Sequence, residues 1–184
     1  VLFNAGKALE QMQQDLIGQS ESQSFKDIAQ SALKNIERKM GLYSSGKQTG
    51  ITTGLQDLND MNSGWHGGEL IVLAARPAMG KTAFALNIAH NAALKDSCKV
   101  ALFSMEMSKE QLIQRMIAAE SRVELNKLKN GNLDEEEWPK VITAMEVLSK
   151  TDIYIDDTPG ISVVELRSKC RRLKMEKGLD MVLI

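Results

Sequence analysis

The stretch from Glu69 to Leu86 constrains the fold of this chain more than any other. Leu70-Ile71-Val72-Leu73-Ala74 is the short apolar run that a strand buried on both faces requires. It feeds into Ala75-Arg76-Pro77-Ala78-Met79-Gly80-Lys81-Thr82, and Ala83 to Ala89 then reads as a helix. A strand, a tight loop with Gly-Lys-Thr and a helix, in that order, give a phosphate-binding loop its meaning. Backbone N–H groups at a helix N-terminus can surround an anion, and the helix dipole favours negative charge there. The candidate nucleotide contacts are therefore Ala78, Met79, Gly80, Lys81, Thr82 and Ala83. Gly80 lets the main chain come close to phosphates, Lys81 can reach their oxygens, and the Thr82 hydroxyl is placed to ligate a magnesium ion. The usual pattern opens with glycine, whereas Ala75 stands here. The competing reading is a chance Gly-Lys-Thr after an apolar run; the strand and helix on either side favour the loop.

With 184 residues and 43% hydrophobic content, the chain can build one domain with a real core and an appended segment. A formal net charge of −1 provides no overall basic signature, so any nucleic-acid contact must come from a local patch. Aromatic residues at 4% leave no visible base-stacking platform. Cys98 and Cys170 are isolated, without the spacing of a metal site or a disulfide framework, which points to a reducing compartment. No apolar run approaches the ~20 residues needed to span a bilayer, and no basic-then-apolar leader opens the chain. The expected location is cytoplasmic.

Before the loop, Ala5, Ala8, Leu9, Met12 and Leu16 have helical spacing, and Gly18 to Ser24 is a polar connector. Phe25, Ile28, Ala29, Ala32, Leu33, Ile36 and Met40 then fall on one face of a second helix, with Gly41 as the expected stop. That apolar stripe either docks on the chain's own core or needs a partner. His66 lies in a glycine-rich turn and His90 in the helix after the loop; neither has a second ligand that would suggest a metal.

Downstream, Lys99 to Met105 reads as a buried strand that ends at Glu106. In an open parallel sheet, functional groups collect at the carboxyl ends of strands. A glutamate there can orient a water that attacks a terminal phosphate, or it can be a solvated neighbour of a helix cap at Ser108. Ser108 opens one helix and Asp134 another, with Pro139 placed late enough in its first turns to move the start. Thr151 to Asp157 alternates apolar and polar residues before Thr158-Pro159-Gly160, a strand and turn whose two aspartates read as caps of the turn and the following helix rather than metal ligands. Val163 to Lys177 is a helix whose basic run, Lys169-Cys170-Arg171-Arg172 with Lys174, either touches phosphates or, as such runs more often do, forms a solvated face. Leu179 to Ile184 is a last buried strand, and the alternation of strands with helices implies an α/β fold with a parallel sheet covered on both faces.

Three segments in this order resemble the DnaB-type replicative DNA helicases: Ala75 to Thr82, Phe103-Ser104-Met105-Glu106-Met107-Ser108, and Ile155 to Gly160. That family commonly places alanine before Arg-Pro, so Ala75 fits the resemblance, as do Ile51-Thr52-Thr53-Gly54 and the Leu179 to Ile184 strand. The resemblance implies a RecA-like P-loop ATPase fold preceded by a helical linker. Residues 1–19 would be the tail of an N-terminal domain, 20–46 a linker helix and connector, and 47–184 the first part of the motor domain. It implies ATP and Mg2+ as cofactors, with Lys81 as the nucleotide lysine, Thr82 as the metal-side hydroxyl and Glu106 as the catalytic glutamate. It implies a homo-hexamer held through Phe25 to Met40, with single-stranded DNA, primase and a helicase loader as partners.

The resemblance also places the family's metal-side aspartate, its DNA-binding loops and its trans-acting arginine after Ile184. On that reading the 184 residues bind nucleotide weakly at best and do not unwind DNA by themselves. A RecA-type recombinase or other ring ATPase shares the loop and glutamate, but not the Ala-Arg-Pro lead-in. A small-molecule kinase needs acceptor and lid motifs that are not visible here, and a non-enzymatic fragment acting through the Phe25 to Met40 helix is the third alternative.

Overall fold

The computed structural model describes residues 24–46 and 48–184. The helix expected within the first 17 residues, and most of the connector after it, lie outside the described residues. The described residues form two units that divide before Gln48.

The first unit is helix α1, Phe25–Ser44. The Ser24 hydroxyl accepts the Asp27 N–H at 3.3 Å, supplying one of the acceptors that the first turn lacks. Gly41 is the expected stop, yet the helix runs through it. The left-handed residue that ends this helix is Gly46, at φ 67°, because a C-terminal glycine acts through positive φ and not through position alone. None of the α1 residues is buried, and Phe25, Leu33, Ile36 and Met40 lie more than half exposed.

The second unit is a parallel sheet with helices packed against it. Its elements are α2 Gln56–Asn62, α3 Lys81–Lys95, β1 Val100–Phe103, α4 Lys109–Ser121, α5 Leu125–Asn130, α6 Glu137–Leu148, β2 Ile153–Asp156, α7 Val163–Glu176 and β3 Met181–Leu183. The strand order is β2-β1-β3, with Val100 opposite Ile153 on one side and Met181 on the other. All four β1 residues are buried, which is why this strand is apolar throughout. Leu86 of α3 and Leu112 and Met116 of α4 cluster with Leu102, while Ala89, Ala92 and Ala93 cluster with Val100, so α3 and α4 cover the same face of β1. The step from β2 to β3 passes back across β1, and the usual right-handed crossover assigns α7 to the opposite face.

Several boundaries differ from the sequence reading. The strand expected over Lys99 to Met105 spans only Val100–Phe103, although the Ser104 N–H still bonds the Asp156 carbonyl. The helix expected from Asp134 begins at Glu137, which puts Pro139 in the first turn, where its missing N–H costs nothing. The last strand, Met181–Leu183, is half-buried and not a core strand.

A larger correction concerns Leu70 to Ala74, which form no strand. No described residue pairs with them, and without a ladder the run stays outside any sheet, with Leu70 90% and Val72 80% exposed. What ties the preceding segment down is polar: the Thr52 N–H bonds the Asp96 carboxylate at 2.6 Å, and the Asn59 side chain links Thr52 and Thr53 in a buried corner.

Candidate nucleotide-binding site

Gly80 sits at φ 86° and caps α3, so the loop turns into the helix through a conformation that suits glycine. Space around it is open: a β-carbon built there meets nothing within 4 Å. The first helical bond of α3 is Phe84 N–H to the Gly80 carbonyl at 2.9 Å. The N–H groups of Lys81, Thr82 and Ala83 therefore have no acceptor among the described residues, and they project from the positive end of the helix dipole. Met79 is largely exposed, and its N–H reaches back to the Arg76 carbonyl at 3.3 Å. Ala78 adopts φ 63°, a left-handed conformation that disfavours a residue with a β-carbon. Strain of this kind collects at ligand-binding turns.

Glu106 lies in the bend that follows β1, at the carboxyl edge of the sheet. The bend is tight, because the Ser104 hydroxyl donates to the Met107 carbonyl at 2.8 Å and accepts the Met107 N–H at 3.1 Å. Ser108 then caps α4 with a full capping box, its hydroxyl accepting the Gln111 N–H while the Gln111 side chain accepts the Ser108 N–H. The glutamate is exposed, and among the described residues it enters no hydrogen bond or ion pair. Lys81 and Glu106 thus lie on different elements, α3 and the β1–α4 bend. Leu86 and Leu112 share one core cluster near the leading ends of their helices, so α3 and α4 present their N-termini on the same side.

A brace at the same edge was missed by the sequence reading. Asp156 ends β2; its Oδ1 accepts the Thr158 N–H at 3.0 Å and the Thr158 hydroxyl, and its Oδ2 accepts Lys169 Nζ at 2.7 Å. The Lys169 ammonium, followed by the Thr158 hydroxyl, holds the Asp156 carboxyl down at about 2. Asp157 accepts the Lys109 N–H at 3.1 Å and lies 3.6 Å from its ammonium, and those contacts lower its pKa as well. Asp156 thus caps the turn as expected. Asp157 instead supports the start of α4, and the helix after the turn is capped by Ser162. Lys169 leaves the expected solvated face, while Arg171, Arg172 and Lys174 remain on it. The signal available was Asp-Asp-Thr-Pro-Gly with a lysine on the next helix, which fixes a turn but not which helix it braces.

No described group of three or more His, Cys, Asp or Glu could hold a metal ion. Burial pushes the Cys98 thiol up to about 11, so it has none of the thiolate character of a nucleophile. His66 contacts Thr49 and Glu69 at the surface, whereas His90 is buried in α3. No described helix is long and apolar enough to cross a membrane.

A family model described as the DnaB-like helicase C terminal domain matches residues 50–184. The replicative DNA helicase DnaC of Bacillus subtilis (strain 168) is 51% identical over 162 residues, 88% of this chain and 35% of that protein. The replicative DNA helicase DnaB of Geobacillus stearothermophilus is 50% identical over 161 residues, again 88% and 35%. Among solved structures, one described as an ATPase domain matches with a TM-score of 0.78 at 31% identity, over 88% of this chain and 56% of that one. A DnaB-like replicative helicase, described together with its interactions with primase, matches with a TM-score of 0.72 at 30% identity, over 95% and 42%. The chain spans about a third of the length of these curated relatives.

Proposed function

This chain belongs to the DnaB-like helicase C-terminal domain family and carries part of a RecA-like fold, and from that premise we propose that it is part of a replicative DNA helicase. The intact protein, on this reading, is a homo-hexameric ring that hydrolyses ATP, moves along single-stranded DNA and separates the duplex during replication. Residues 1–19 are the tail of an N-terminal domain, 20–46 the linker helix and connector, and 47–184 the first part of the ATPase domain.

The observation that carries the reading is the free N–H cradle of Lys81, Thr82 and Ala83 behind a left-handed Gly80. It fits a triphosphate tail, since donors without partners at a helix N-terminus are what an anion requires. Ala78 and Met79 complete the loop, Lys81 supplies a positive charge toward the β- and γ-phosphates, and the Thr82 hydroxyl would hold Mg2+. That ion, when bound, neutralises charge on the phosphates. Glu106 is the residue that takes up or orients the proton of the attacking water. The tight Ser104–Met107 bend and the Asp157–Lys109 contact support this role by fixing where the glutamate's backbone lies.

The partners follow from family membership and from α1. The exposed apolar residues of α1 from Phe25 to Met40 suit contact with another subunit of the ring. Primase is a proposed partner because one structural relative is described with it; a helicase loader and single-stranded DNA are the others, and the working compartment is the cytoplasm. The test is ATP hydrolysis by the complete protein with and without single-stranded DNA, repeated with Glu106→Gln. DNA-stimulated turnover that collapses in the variant is the expected result, and unchanged turnover removes Glu106 from its role.

A further inference from the structure

The mechanism leaves one buried titratable group of α3 unused. His90 is 9% exposed, and its Nε2 atom is buried with no hydrogen-bond partner among the described residues. Glu120 of α4 approaches it, with Oε2 3.6 Å away, just beyond the range of a formed hydrogen bond. Beside the pair is a cavity of about 40 Å3, lined by Ala83, Asn87, Arg115, Met116 and Ala119 among others. Buried polar atoms in native proteins are paired, and a closure of less than about 1 Å pairs this one. An imidazole nitrogen can donate, and an ionised carboxylate only accepts, so the two groups are matched. Arg115, also from α4, lines the cavity with His90.

The location of the pair gives it a consequence at the site. Leu86 clusters with Leu112 and Met116, and His90, one turn further along α3, faces Glu120, one turn beyond Met116. The helices therefore run in the same direction. Their leading ends carry the phosphate loop and follow Glu106, and the pair bridges their trailing halves. We propose that His90 and Glu120 are positioning residues: their contact locks α3 to α4 and thereby fixes the phosphate loop relative to Glu106. This rests on the phosphate-loop reading of Lys81 to Ala83 given above.

The test is binding of the fluorescent analogue N-methylanthraniloyl-ATP to the complete protein, with the thermal midpoint recorded on every variant and histidine 15N–1H spectra recorded on the 184 residues. His90→Leu and Glu120→Ala should each weaken binding roughly fivefold, and the double variant should be no weaker than either single, as a shared contact requires. His90→Gln, which keeps a donor at the same reach, should restore binding toward wild type, a rescue that mere packing would not give. The Nε2-bound proton of His90 should be visible in wild type and lost in Glu120→Ala. Wild-type affinity in His90→Leu, or additive losses in the double variant, overturns the proposal. Complete wild-type protein that binds no analogue, or binds equally with Lys81→Ala, overturns the phosphate-loop reading instead; a missing Nε2 proton signal overturns the His90–Glu120 contact whatever the nucleotide result.

Discussion

Replacing Asp156 by asparagine removes one charge from the carboxyl edge of the sheet while keeping an oxygen for the Thr158 N–H. The native carboxyl is held from 3.8 down to about 2, first by the Lys169 ammonium and then by the Thr158 hydroxyl. At 1.36 kcal/mol for each tenfold change in proton affinity, that corresponds to about 2 kcal/mol. The Asp156 side chain is 28% exposed, so solvent screening leaves about 1–2 kcal/mol. The sign follows from linkage. A carboxyl whose folded pKa lies below its unfolded one stabilises fully above about pH 4 and loses that stabilisation as the pH falls toward about 2. Urea unfolding followed by circular dichroism should therefore show Asp156→Asn less stable by about 1–2 kcal/mol near pH 7, with the gap closing near pH 2. Lys169→Met should give a similar loss, and the double variant should not add the two, because both remove the same 2.7 Å contact. A gap that persists unchanged in acid, or that is absent near neutrality, refutes the ionic account of this brace.

Other changes test other joints of the fold. Ser108→Ala removes the capping box of α4 and should lower stability by about 1 kcal/mol in urea titration. Gly54→Ala should be worse, since its β-carbon would lie 2.2 Å from the Asn91 side chain at φ 82°; a loss below about 1 kcal/mol would contradict both features. Gly80→Ala meets no steric obstacle, so its thermal midpoint should reflect only a conformational cost of about 1–2 kcal/mol, accompanied by weaker nucleotide binding. Glu106→Gln should leave the thermal midpoint unchanged, because the carboxylate has no described partner, while lowering ATP turnover of the complete protein by at least about 100-fold.

The local chemistry at the site was legible in the sequence because it is set by neighbours in the chain. Gly-Lys-Thr at a helix start and Ser-x-x-Gln at the next are short-range rules, and Gly80 and Ser108 stand where those rules put them. The brace was not legible, since Asp157 and Lys109 lie 48 residues apart and nothing in the pattern pairs them. His90 reads as one polar residue on an apolar helix; only the approach of α4 brings Glu120 to it.

The apolar run Leu70 to Ala74 shows the limit from the other side. Its composition states a demand, burial on both faces, but a strand exists only where neighbouring backbones accept its N–H and C=O groups. Among the described residues β3 is bonded on one side only, to β1, and its Val182 side chain is 40% exposed. An unpaired apolar run and a strand with a free edge therefore occur in one unit, and each lacks what the other carries. The proposed phosphate loop follows directly on the end of that run. Its cradle is formed by α3 alone, so the N–H donors are in place through the helix cap while the approach to the loop from its other end is set by whatever pairs with Leu70 to Ala74. Nucleotide affinity should accordingly rise when the run is paired, and the hydrogen-exchange protection of Ile71 and Leu73 should rise with it. Stronger binding with those two amides still exchanging freely would show that the loop is ordered independently of the strand that precedes it.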